Sequence, residues 1–138
     1  MLKKTITYTD YNGVERTEDH YFNLNPTEMI EMENGIKGGY TEWVTSVVNS
    51  KDGPTIMKLF KDFIAKAYGK KHPDGIRFEK SEEISRAFMQ TEAYNVLFLE
   101  LVTDANAAAA FVNAIVPKEA DYQKLIKTTG QTEIKPVN

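Results

Sequence analysis

Ser81 to Val116 limits the fold more than any other stretch, because it holds more apolar side chain than one face of a helix can hide. Ser81 is a natural N-cap, since its hydroxyl can accept from a free backbone N–H of the first turn. Glu82 and Glu83 then put negative charge where the helix dipole is positive. Ile84, Ala87, Thr91, Tyr94, Phe98 and Leu101 recur at three- and four-residue steps, which predicts one long helix from Ser81 to the break at Asp104. Its first half has a polar side in Glu83, Ser85, Arg86 and Gln90. In its second half Val96, Leu97, Phe98, Leu99, Leu101 and Val102 run most of the way round, interrupted only by Glu100. A helix that is apolar all round must be covered all round. Either the chain covers this one as its central core helix, or another subunit supplies part of the cover.

Asp104 is placed to cap a following helix. Ala105 and Ala107 to Ala110 are strong helix formers with little bulk, so another backbone can come close. That closeness suits tight packing within the fold or a seam for self-association. Phe111, Val112, Ile115 and Val116 give the helix an apolar end, and Pro117 stops it.

The N-terminal third has a different period. Leu2 to Asp10 alternates, with Leu2, Ile6 and Tyr8 on one side and Lys3, Thr5, Thr7 and Thr9 on the other. Val14 to Leu24 is a second strand, with His20, Phe22 and Leu24 on one face, and Asn12-Gly13 between the two marks a hairpin. A two-residue turn mixes the faces by setting Ile6 opposite Asp19. A three-residue loop with Gly13 left-handed sets Tyr8 opposite Arg16 and Leu2 opposite Phe22, so this register is expected, with a bulge at Gly13. A lone hairpin is marginal in water and needs helices or another strand against it.

Asn25-Pro26-Thr27-Glu28 opens a helix with a cap, a first-turn proline and a glutamate three residues on. Gly35, Gly38 and Gly39 break it, and Tyr40 or Thr41 restarts a helix through Trp43, Val44, Val47 and Val48. Thr55 to Tyr68 is the cleanest amphipathic helix, with an apolar stripe from Ile56 to Tyr68 opposite Lys58, Lys61, Asp62 and Lys66. Gly69 is placed as its stop. A turn at Pro73-Asp74-Gly75 follows, and Ile76 and Phe78 suit a short extended piece. Residues 118–138 are expected to hold a short amphipathic turn around Tyr122, Leu125 and Ile126, then a mobile tail.

At 138 residues the chain is long enough for one domain with a real core. The expectation is α+β: an N-terminal antiparallel β-hairpin packed against a mainly α-helical bundle of four to five helices, over residues 1–117.

Little in the chain points to chemistry. There is no cysteine, hence no disulfide or thiolate metal site. A formal charge of −3 with mixed signs is no footprint for nucleic acid, and no apolar run approaches the ~20 residues that span a bilayer. Nothing at the N-terminus resembles a secretion signal. His20 and His72 lie far apart, and the carboxylate pairs Glu18-Asp19 and Glu82-Glu83 are adjacent residues whose side chains diverge. A working acid/base pair needs converging groups with split pKa values. Gly35 to Gly39 lacks the lysine–hydroxyl ending of a phosphate loop and suits a hinge, and Lys70-Lys71-His72 is too short for a nucleic-acid patch. No catalytic residue, cofactor or metal is expected.

The layout resembles the tail assembly chaperones of long-tailed bacteriophages and of prophages of Gram-positive bacteria. The resemblance rests on residues 2–13, on Phe60-Lys61-Asp62 and Ala67-Tyr68-Gly69, and above all on Phe78 to Pro117. Within the last stretch, Gln90-Thr91-Glu92-Ala93-Tyr94 and residues 103–111 are the most telling. It implies a non-enzymatic assembly factor in the cytoplasm of an infected or lysogenic bacterium. Such factors bind the tape-measure protein, keep it soluble and help recruit tail-tube subunits. A structural tail component, such as a connector or tube-associated protein kept in the virion, is the alternative. Client binding and self-association both need apolar surface outside the fold, and Phe98, Leu101, Phe111 and Ile115 are the expected contributors.

Overall fold

The computed structural model describes residues 1–33 and 40–118. In chain order the elements are β1 (Leu2–Thr9), β2 (Glu15–Phe22), α1 (Pro26–Glu33), α2 (Tyr40–Ser50), α3 (Gly53–Ala67), β3 (Tyr68–Lys71), β4 (Phe78–Glu79), α4 (Glu82–Met89), α5 (Glu92–Thr103) and α6 (Ala105–Ile115). The architecture is α+β, with the N-terminal hairpin packed against the helices.

The hairpin has the expected register, with Leu2 opposite Phe22 and Tyr8 opposite Arg16. Gly13 takes φ +81°, and its N–H donates to the Asp10 carbonyl at 2.9 Å. Asp10 organises the loop by accepting from the N–H groups of Asn12 and Val14 and from Arg16 Nε. Matching the faces of the strands thus selects the three-residue loop, because slipping by one residue moves every side chain across the sheet.

The sheet is larger than the hairpin. β3 and β4 form a second, short hairpin that adds to β2, giving an antiparallel sheet in the order β1-β2-β3-β4. Gly69 belongs to β3 and is not the stop of α3. The helix ends because Tyr68 turns extended, with φ −68° and ψ 140°. A Cβ on Gly69 would lie 2.6 Å from the Phe78 ring, so glycine is needed there for the close approach of β4.

Capping sets most helix starts. Asn25 and Glu28 exchange backbone-to-side-chain hydrogen bonds at the head of α1, and Lys80 Nζ bonds both Glu28 carboxylate oxygens and the Asn23 carbonyl. Ser81 Oγ accepts from Ile84 N, and Asp104 Oδ1 accepts from Asn106 N and Ala107 N. The helix expected to run unbroken from Ser81 to Asp104 is divided. Thr91 turns extended, accepts from Tyr94 N and donates to the Phe88 carbonyl, so α5 starts afresh after α4. Ser85, expected on the polar side, is buried and donates to the Ala65 carbonyl at 2.7 Å, which joins α4 to α3. Helix α6 then turns away from α5 by 113°.

Phe22 lies at the centre of the core, with its ring 5.3 Å from Phe111, 5.6 Å from Tyr68 and 5.9 Å from Phe88. Tyr68 and Phe88 stack at 4.2 Å, and the aromatic chain continues through Tyr94 to Phe98 on α5. Each such pair adds about 0.5–1.5 kcal/mol beyond its buried area. The glycine break at Gly35, Gly38 and Gly39 and everything expected after Lys118 lie outside the described residues.

Candidate interaction surface

Helix α5 packs against β1, α3, α4 and α6. Ala93, Leu97 and Leu101 face inward, fully covered. On the outward side Val96 and Leu99 are 44% and 59% exposed, and Phe98 and Val102 are half-buried. At about 100° per residue, Val96, Leu99 and Val102 make one ridge along the helix, with Phe98 beside its end.

Of the four residues expected to form an interaction surface, three are in the core. Leu101, Phe111 and Ile115 are only 2%, 4% and 3% exposed. Phe98 alone keeps partial access, its ring tilted by 32° against that of Tyr94. The reason is geometric. The bend at Asp104 folds α6 back, so its apolar end closes over Phe22 and Phe63 and needs no second chain. Val96 and Leu99, which share the same apolar run, are what the fold leaves uncovered. The sequence sets Tyr94, Phe98 and Leu101 on one face, whereas the covered stripe is Ala93, Leu97 and Leu101; the signal for Val96 and Leu99 was the apolar run that goes most of the way round the helix.

Glu100 flanks the ridge and pairs with Lys4 of β1 at 3.1 Å. Both side chains keep access to water, so the pair adds about 0–1 kcal/mol. At the far end of the hairpin, Tyr8 donates to Glu18, and that hydrogen bond holds the Glu18 carboxyl below its ordinary range while raising the Tyr8 phenol.

No cluster of three or more potential metal-ligating side chains occurs among the described residues. His20 lies against Phe88 and Tyr68, and burial lowers its pKa. His72 bonds Asp74 in the β3–β4 turn. The carboxylates of Glu18 and Asp19 do diverge: Glu18 accepts from Tyr8, whereas Asp19 accepts from Thr5. A groove of about 1020 Å³ opens where Leu24, Met32, Leu59 and Met89 meet. Its most deeply set polar groups are already engaged, Lys80 with Glu28 and Ser85 with Ala65. Burial lowers the Lys80 pKa, and the Glu28 carboxylate works against that shift. The groove thus offers apolar lining with a charged rim, and an ion pair that stitches α1 to the start of α4.

A family model described as phage tail assembly chaperone matches residues 1–135. The chain belongs to this family. No curated protein and no solved structure matches it. No single described helix is long and apolar enough to cross a membrane.

Proposed function

We propose that this tail assembly chaperone is non-catalytic, binds the tape-measure protein and helps recruit tail-tube subunits in the cytoplasm of the bacterial host. The observation that carries the reading is the outward ridge of α5, Val96, Leu99 and Val102 with Phe98 beside it, in a chain of this family. Val96 and Leu99 stand largely in water, where apolar side chains cost solubility and add little to the stability of the monomer. They suit a client that presents an apolar helical stripe, which would lie along the ridge through anchors at three- and four-residue spacing. Leu101, Phe111 and Ile115 are buried in the fold, so in this reading they do not contact the client.

Co-expression with the tape-measure protein tests the reading. The client should stay soluble and co-purify with the chain, and should precipitate when expressed alone. A client equally soluble without the chain, or one that never co-purifies, would overturn it.

A further inference from the structure

The two edges of the sheet differ in a way that α5 does not explain. The β4 edge is two residues long. The β1 edge is eight residues long, roughly 26 Å at 3.3 Å per residue. Asp10 N donates to the Val14 carbonyl, and Asn23 N donates to the Ala67 carbonyl of the chain entering β3. In an antiparallel ladder the groups alternate, so the even-numbered residues of β1 direct their N–H and C=O toward β2. Lys3, Thr5, Thr7 and Thr9 therefore direct theirs away from the sheet. Among the described residues no backbone group outside the ladder bonds to them.

Natural edges of this length are usually blunted by proline, a bulge or an inward-pointing charge. β1 contains no proline and pairs with β2 without interruption. Its inward charge, Lys4, is held by Glu100.

We propose that β1 pairs antiparallel with β1 of a second copy of this chain, making one continuous eight-stranded sheet. The side chains select the occupant. A two-fold axis at Ile6 sets Ile6 opposite its own copy, Lys4 opposite Tyr8, Thr5 opposite Thr7 and Lys3 opposite Thr9. In this register the outward N–H and C=O groups of the odd residues meet one another. Inner-face side chains stay on the inner face, and no lysine opposes a lysine. Lys4 also falls diagonal to Asp10 of the copy, within reach of a long side chain. The edge is thus self-complementary in hydrogen bonding, facial polarity and charge. The pairing uses backbone groups of β1, whereas the proposed client site uses side chains of α5, so different measurements test the two.

Sedimentation velocity on the chain alone, across a hundredfold range of concentration, tests the pairing together with amide hydrogen exchange. Dimer should form as concentration rises. The amides of Lys3, Thr5, Thr7 and Thr9 should slow by at least about tenfold with it, while those of Lys4, Ile6 and Tyr8 are slow throughout. Thr7→Pro removes an outward N–H and no ladder bond, so it should give a monomer with the same circular dichroism. Should that variant fail to fold, the exchange pattern of the natural chain still decides. A chain monomeric throughout, or a dimer whose odd-numbered amides exchange as fast as in the monomer, would overturn the proposal. So would protection at those amides that appears only when another tail protein is added, which would assign the edge to a different partner.

Discussion

Helices α3 and α5 are both buried along one side, and they part company on the other. α3 turns Leu59, Phe60, Phe63 and Ile64 inward and presents Lys58, Lys61, Asp62 and Lys66 to water. α5 turns Ala93, Leu97 and Leu101 inward and presents Val96 and Leu99. The inward faces explain why the chain folds. Apart from Met57 near its start, α3 has the charged outward face that folding asks of a helix in water, and α5 does not. The difference separates what stabilises this molecule from what it offers to others.

The comparison breaks first at the inward faces. Leu97→Ala and Phe63→Ala should each cost about 2–5 kcal/mol of unfolding free energy, read by chemical denaturation, because both side chains are fully enclosed. A cheap Leu97→Ala would mean that α5 is not the core helix its inward stripe describes. The start of α5 comes next. Thr91→Ala removes the cap on Tyr94 N and should cost about 1 kcal/mol. The outward faces should then be nearly silent in stability. Leu99→Lys on α5 and Lys61→Ala on α3 should each stay within about 0.5 kcal/mol of the natural chain. A strongly destabilising Leu99→Lys would show that the ridge is structural after all.

The smallest effect concerns the sheet that α5 leans on. Burial depresses the pKa of His20 below its ordinary 6.5. The unfolded chain therefore takes up this proton first as the pH falls. The stability that comes from the neutral ring is full above pH 6.5 and is lost as the pH drops through the lower folded value. His20→Gln should flatten that part of a stability–pH profile measured between pH 7.5 and 5.

Much of this fold was legible in the chain, and the exceptions share a cause. The hairpin register followed from Gly13 and from matching faces, and Ser81, Asp104 and the Asn25–Glu28 box capped helices as their types suggest. These are local signals. The division at Thr91 was hidden because a capping threonine and an apolar-face threonine occupy the same helical step, and only α5's direction toward β1 tells them apart. Gly69 looked like a helix stop until Phe78, nine residues on, was brought against it. Leu101, Phe111 and Ile115 looked surplus because an apolar run does not reveal which of its sides the next helix will cover. The 113° bend at Asp104 decides that, and it leaves Val96 and Leu99 outside.

The most direct measurement is co-purification of the tape-measure protein with a Val96→Asp/Leu99→Asp variant that retains the circular dichroism and melting temperature of the natural chain. If the α5 ridge holds the client, the folded variant should lose the client by at least about thirtyfold, the equivalent of a 2 kcal/mol contact. A folded variant that carries the client as well as the natural chain does would contradict the account.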